Sequence, residues 1–334
     1  MRITNINMKW EITPKNAIFL SLLILLIFLP GISSDYYILL ILIFANIGAV
    51  FAASWDLTAG VTGLFSFGHV IFFGIAGYVS GALNLFLGLP PWLTIPIGGA
   101  FGVLVGLIVG LPSLRLKGPY FRIITLTFPG ILQGIILMYP EMTGGETGFY
   151  GLSPISDNIV ITYYASLVIM LVSIFIMLQI LSSRFGLIFR SIREDEDVAE
   201  ATGINTTKYK LLAWAISGFF AGIAGGFQTH LIMTISPFVF GVFYSFQAIL
   251  FAVLGGIGTI IGSVGGSYIM IVLNELLRMV VDLRSIMYAI VMIIVFLFIP
   301  MGIYRWLAIR FNIKIGTWNG LKKLRRKKIN APNP

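Results

Sequence analysis

Along the chain, runs in which almost every position is apolar alternate with short stretches rich in Gly, Pro, Lys and Arg. A helix needs about 20 apolar residues to cross a bilayer, fewer where neighbours shelter its ends. The pattern predicts spans near residues 16–30, 36–55, 61–87, 91–111, 119–140, 159–181, 211–232, 244–257, 262–275 and 286–304. Pro30-Gly31, Pro90-Pro91, Pro112, Gly118-Pro119 and Pro237 punctuate this pattern where helices break or turn. The expected fold is an all-α membrane protein: one domain over residues 1–334, a polytopic bundle of about ten transmembrane helices. The least secure boundary lies within 244–275, divided at Gly255-Gly256-Ile257-Gly258 partly so that both termini fall on one side.

One hydrophilic insert, residues 182–210, interrupts the apolar chain and holds five of the thirteen acidic residues within Glu194–Glu200. Ser191 and Glu194 have the spacing of a capping box, and Gly203 sits where a left-handed residue stops a helix. A helix over Ile192–Thr202 follows, roughly 16 Å long at 1.5 Å per residue. It is either a solvated acidic helix, stabilised by acids near its positive end, or a docking element for a soluble partner. Arg184, Arg190 and Arg193 precede it, and Lys208 and Lys210 follow.

Composition narrows the function. With 58% hydrophobic and 10% charged residues, the chain lies far from soluble globular composition. The absence of Cys excludes disulfides, thiolate chemistry and Cys-ligated metals, and His69 and His230 are isolated. There is no G-x-x-x-x-G-K-[ST] loop for nucleotide phosphates, no Ser/His/Asp spacing and no carboxylate pair at helical spacing inside a span, so an enzyme is not expected. The net charge of +9 has a topological use and does not point to nucleic acid. Three Lys or Arg lie in residues 1–15, three in 111–122, five in 182–210 and nine in 305–334, leaving only Arg278 and Arg284 of the twenty-two. Ten crossings from a cytoplasmic start put all four segments inside, with both termini cytoplasmic. The tail, 305–334, is expected to lie disordered against anionic lipid. Residues 1–30 have a signal-peptide layout without a clear A-x-A cleavage pattern, which favours an uncleaved first span.

Several polar or small-residue patterns fall inside the spans. Thr62, Ser66, His69, Phe73, Gly77, Ser80 and Asn84 recur at steps of three or four, predicting one polar face on the third span. That face either bonds to neighbouring helices, helped by Gly77-x-x-x-Gly81, or lines a solute path. Arg122, Thr125, Pro129 and Gln133 share a face of the fifth span, where Pro129 frees a backbone carbonyl and Arg122 snorkels at the cytoplasmic end. Gly218-x-x-x-Gly222-x-x-x-Gly226 and Gly258-x-x-x-Gly262-x-x-x-Gly266 predict close helix packing. His230 reads as an interface histidine. The acidic outward loop Glu141–Asn158 contains Thr143, Gly144, Gly145 and Gly148, either a flexible loop or a docking or gating element.

The stretches GVTGLFSFGHVIFFGIAGY (60–78), LRLKGPYFRIITLTF (114–128), TGGETGFYGL (143–152), RSIREDEDVAEATGINTTKYKLLAWAISGFFAGIAGG (190–226) and VLGGIGTIIGSVGG (253–266) resemble the LivM-type permease subunits of branched-chain amino acid ABC importers. The resemblance implies a sibling permease subunit, an extracytoplasmic solute-binding protein and two cytoplasmic ATPase subunits that bind the ATP. The chain itself needs no cofactor. The resemblance assigns Ser191, Arg193, Glu194, Asp195, Glu196, Asp197, Ala199, Glu200 and Gly203 to the coupling helix. It places Ser66, His69, Phe73, Ser80, Asn84, Thr125, Pro129 and Gln133 along the translocation path. The same family includes urea and short-amide systems, and no residue separates those solutes. Phe65-Ser66-Phe67 stands where relatives often have Leu-Ser-Leu, and Tyr150 interrupts the glycine-rich loop, which weakens inference about specificity more than about fold. The rival from another class is an ion-coupled carrier, which would bury ionisable groups at mid-membrane. By sequence only His69, Arg122 and Glu275 approach that depth, none with an evident charged mate.

Overall fold

A computed structural model describes residues 26–31, 35–114, 119–276 and 293. Helix α1 (Tyr36–Asp56) is capped by Asp35, whose carboxylate accepts the Tyr37 amide at 2.9 Å, and it runs on into a π-helical turn, Leu57–Val61. An irregular stretch, 62–69, leads to α2 (Val70–Leu87), which Gly88 closes in the left-handed conformation. Helix α3 (Pro91–Ser113) opens on a proline, whose missing amide costs nothing in a first turn. Then come α4 (Pro119–Met138), a short α5 (Pro140–Thr143), strand β1 (Phe149–Tyr150) and α6 (Ile159–Ser182). The insert forms α7 (Arg184–Glu194) and α8 (Glu196–Ala201) before α9 (Thr206–Ile232), which Asn205 caps. Strand β2 (Thr234–Ile235) pairs antiparallel with β1, a 3-10 turn covers Pro237–Phe240, and α10 (Val242–Gly255) and α11 (Ile260–Leu276) complete the described chain.

Two tightly packed groups share α1. In the first, α2, α3 and α9 meet at small residues: a Cβ on Gly222 would lie 2.8 Å from the Gly99 Cα and 3.0 Å from the Ala76 Cβ. The Phe72 ring lies against both Gly106 and Gly218, and Trp214 Nε1 donates to the Gly106 carbonyl at 2.8 Å. The small-residue ladder of α9 is therefore packing surface, as its spacing predicts. In the second group α1 bonds to α6 through Asn46 Nδ2 to Ser166 Oγ (2.9 Å), and to α11 through Ser267 Oγ to the Ala45 carbonyl (3.0 Å). Ser217 Oγ donates to the Ser54 carbonyl at 2.5 Å and joins α9 to α1. Each bond satisfies a polar group that lipid would leave unpaired.

The structure bears on the span pattern at three points. Six helices among the described residues are long and apolar enough to cross a membrane, or seven if α10 and α11 count as one span, so the expected count of about ten is not confirmed. The first expected span, 16–30, falls mostly outside the described residues. The last, 286–304, does so except for residue 293, as do the tail, Arg278 and Arg284. Second, the chain divides at the expected glycines, into α10 and α11. They bend by 112° at the glycines, with Gly262 against Gly255 and Gly266 against the Phe251 carbonyl, which is the antiparallel pairing of a hairpin. At 14 residues α10 reaches about 21 Å, short of a bilayer core of about 30 Å. Third, the expected helix from residue 61 begins only at Val70, because Gly63 adopts a left-handed φ of +83°.

Candidate functional site

The acidic insert is two helices, and the predicted single helix Ile192–Thr202 is corrected accordingly. Ser183 caps α7 through the Phe185 amide (3.2 Å), so Ser191 lies inside α7, where its hydroxyl donates to the Leu187 carbonyl at 3.0 Å. The chain breaks at Asp195, which is extended (φ −161°, ψ 111°) and caps α8 by accepting the Val198 amide at 3.1 Å. A carboxylate at that position satisfies an orphan amide and also faces the positive helix end. Gly203 takes the predicted left-handed conformation at φ +88°.

This insert presents a defined surface. Ser191, Glu194, Asp195, Asp197, Glu200 and Gly203 are exposed, Ala199 is buried, and Val198 stands 59% exposed among the acids. Glu196 instead turns back to form an ion pair with Lys210 of α9, a lysine only 7% exposed. Arg193 is exposed as a residue, but its stem lies against Gly63 and its guanidinium donates to the Gly60 carbonyl in the π-helical turn. Phe189 and Ile192 are buried, which fixes α7 to the bundle. The rod is therefore anchored on one side and offers an acidic ridge with an apolar knob on the other.

The irregular stretch 62–69 lies at the same end of the bundle and meets α4. The Phe67 amide donates to Thr125 Oγ1 at 3.2 Å, and the Arg122 guanidinium lies 5.3 Å above the Phe65 ring, a cation–π distance. Gly68 packs directly on the Thr125 carbonyl, the one that Pro129 leaves without a helical donor. Further along α4, Pro129 and Gln133 line an open groove of about 420 Å³ with Thr127, Phe240, Val242 and Ser245. Ser245 is buried there, and its hydroxyl has no hydrogen-bond partner among the described residues.

The other members of the predicted polar face sit elsewhere. Thr62, Ser66 and His69 precede α2, so they do not continue a helical stripe with Phe73, Ser80 and Asn84. Each of these six is buried inside this chain. His69 Nε2 meets Ser54 Oγ at 2.9 Å and Ser217 Oγ at 3.3 Å, with its ring stacked on Phe51. Ser66 bonds the Gly68 amide, and Phe73 packs against Phe51. Ser80 Oγ donates to Thr94 Oγ1 (2.9 Å) and meets His230 Nε2 (3.0 Å), while Asn84 accepts the Ser153 amide at 2.9 Å. Both histidines thus serve interhelical hydrogen bonds.

At the opposite end, the glycine-rich loop is built and pinned. Gly144, Gly145 and Gly148 all have positive φ, and Thr143 Oγ1 donates to the Ile136 and Tyr139 carbonyls at 2.7 and 2.8 Å. The β1–β2 pair and the bond from His230 Nδ1 to the Ser153 carbonyl (2.8 Å) hold this loop to α2 and α9. Tyr150 and Met142 project from it at 74% and 72% exposure.

Sequence patterns missed Asp56, Val198, Lys210 and Ser245. Asp56 had a signal: it is the sole acidic residue between Asp35 and Glu141. The structure buries it completely, at the end of α1 beside the insert.

Comparison with known proteins matches residues 37–299 to the family described as branched-chain amino acid transport system / permease component. The chain is 27% identical to the high-affinity branched-chain amino acid transport system permease protein LivM of Escherichia coli (strain K12), over 79% of this chain and 69% of that protein. It is 26% identical to the probable branched-chain amino acid transport permease protein LivH of Methanocaldococcus jannaschii, over 68% of this chain and 76% of that one. It is also 27% identical to the ribose import permease protein RbsC of Haemophilus influenzae, over 80% of this chain and 86% of that one. No solved structure matches. Apolar helices of spanning length, built on small-residue packing and carrying one polar insert, are what a multi-pass permease requires, and with the family match over 37–299 the chain belongs to the branched-chain amino acid transport system / permease component family.

Proposed function

We propose that this chain is the permease subunit of an ATP-driven importer that moves branched-chain or other hydrophobic amino acids. It works beside a sibling permease subunit, with two cytoplasmic ATPase subunits that bind the ATP and an extracytoplasmic solute-binding protein. The observation that carries this reading is the insert: a short, capped, acidic rod whose outer face is exposed around Val198 and whose inner face is anchored by Phe189, Ile192 and the Lys210–Glu196 pair. Movement imposed on such a rod passes to α6 and α9, because no slack linker intervenes. ATP closing the two ATPase subunits would displace α7 and α8 and tilt the attached spans, in the manner of alternating access. Both termini are then cytoplasmic, and the pinned loop around Thr143, Gly144, Gly145 and Gly148 faces the binding protein as a docking surface or gate.

The solute path is assigned to the α4 groove, where Pro129 and Gln133 face Ser245 and Thr127 on a mainly apolar wall. That chemistry suits a solute with an apolar side chain and a few polar atoms. Thr125 backs the groove. Ser66, His69, Phe73, Ser80 and Asn84 hold the surrounding helices.

Uptake into proteoliposomes containing the purified complex, with ATP inside and solute-loaded binding protein outside, tests the function. Accumulation of leucine, isoleucine or valine that stops when Glu194–Ala201 is deleted is the expected result. Preferential accumulation of ribose or urea replaces the solute assignment, and uptake by this chain alone under an ion gradient overturns the ATP-driven reading.

A further inference from the structure

Arg193 points away from the exposed ridge of the insert and into the bundle, where three glycines make room for it. Its Cα packs on Gly63, where a Cβ would lie 3.3 Å away. Its guanidinium donates to the Gly60 carbonyl of the π-helical turn. A Cβ on Gly258, at the bend between α10 and α11, would come within 2.8 Å of Arg193 Nη1. Gly60 itself lies against the Asp56 carboxylate and the Gly258 amide.

Asp56 completes the junction. It is fully buried at the end of α1, and its Oδ1 accepts the Gly258 amide at 2.7 Å. Its Oδ2 has no hydrogen-bond partner among the described residues. Arg193 is the cation among the described residues whose charge acts on that carboxylate. A buried carboxyl is costly unless polar groups surround it, and here the Gly258 amide, Ser263, the Thr259 backbone and Arg193 do so. Three separate pieces of chain therefore converge here: α7, the end of α1 with its π-helical turn, and the α10–α11 bend.

We propose that Arg193 is a positioning residue that carries displacement of the insert inward, through Gly60 and the Asp56–Gly258 bond, to the end of α1 and to the hairpin bend. The proposal rests on the insert being the site where the ATPase subunits dock, and it divides that insert by role. Val198 and the exposed acids face the partner, whereas Arg193 faces the permease. The same turn continues into 62–69, which meets α4 at Phe65 and Phe67, so the junction also reaches the helix that lines the groove.

The experiment uses the whole complex in proteoliposomes and measures solute taken up per ATP hydrolysed, normalised to assembled complex, together with retention of the ATPase subunits during purification. Arg193→Met is expected to keep the ATPase subunits bound while uptake per ATP falls about ten-fold, a coupling loss of ordinary size. Arg193→Lys, which keeps the charge, should recover most of it. Asp56→Asn keeps the acceptor for Gly258 and loses the charge, so it should shift the ratio in the same direction; it decides the matter if Arg193→Met does not assemble. An unchanged ratio in both variants overturns the proposal. Loss of the ATPase subunits from an Arg193→Met permease that is still folded and inserted also overturns it, by putting Arg193 on the docking face. Retention of those subunits by Val198→Asp would instead defeat the docking assignment underneath.

Discussion

Lys210, near the start of α9, closes an ion pair with Glu196 in the first turn of α8, with side-chain exposures of 9% and 30% respectively. The pair is asymmetric. Glu196→Gln strands a buried ammonium, while Lys210→Met leaves a carboxylate that water still reaches. Glu196→Gln is therefore expected to cost about 1–3 kcal/mol, and Lys210→Met less. Thermal unfolding of the purified complex in detergent gives the order, and the reverse order would show that Lys210 is not held by this contact.

Asp195 and Ser191 separate two accounts of how the insert folds. Asp195→Ala removes the cap of α8 and should weaken that helix by about 0.5–2 kcal/mol, visible as faster hydrogen exchange at the Val198 amide. Ser191→Ala removes only a back-bond within α7 and should leave that exchange unchanged. A faster exchange in Ser191→Ala would restore the capping box that the sequence suggests.

Two adjacent glycines in α9 have opposite tolerances. A methyl on Gly225 would run into the Phe73 carbonyl, whereas one on Gly226 would meet Ile95 atoms at 3.4 Å or more, ordinary contact. Gly225→Ala should lose folded protein. Gly226→Ala should be neutral or gain up to about 1 kcal/mol from helix propensity. Size-exclusion profiles of the two variants after mild heating distinguish them.

Val198 is expected to anchor the ATPase partner, because an apolar side chain 59% exposed among acids has no role within this chain's own packing. Val198→Asp should reduce recovery of the ATPase subunits by about ten-fold, the size of loss typical of an interface anchor. Raising salt should weaken the wild-type complex less than it weakens a variant that depends on the acids alone, since screening acts on exposed charge.

The spans of α1, α3, α4, α6 and α9 were legible because apolar run length and Pro or Gly punctuation are local properties. The small-residue ladder of α9 was legible for the same reason. What escaped depends on contacts distant in sequence. Thr62, Ser66 and His69 keep helical spacing with Ser80 in the sequence, yet Gly63 breaks the helix between them, and a single glycine carries no marker of its φ. Ser191 and Glu194 spell a capping box that loses to Ser183 and Asp195, because burial of Phe189 and Ile192 extends α7 back across Ser191. Asp56 was overlooked because the run was cut one residue before it. Its partners Arg193 and Gly258 are 137 and 202 positions away.

Helix α4 buries 17% of its apolar window within this chain, against 61% for α2 and for α9. It touches the rest at both ends: Phe65 and Phe67 meet Arg122 and Thr125, Phe121 meets Trp214, and beyond Pro129 it meets the Pro237–Phe240 turn and holds Thr143 through the Ile136 carbonyl. A rod held at both tips and bare along its outer flank behaves as a strut: it can bow or roll between its grips, and Gln133 shifts with it. Its bare flank is covered by lipid or by a neighbouring subunit, so whatever stands beside that strut shares control over how wide the groove opens.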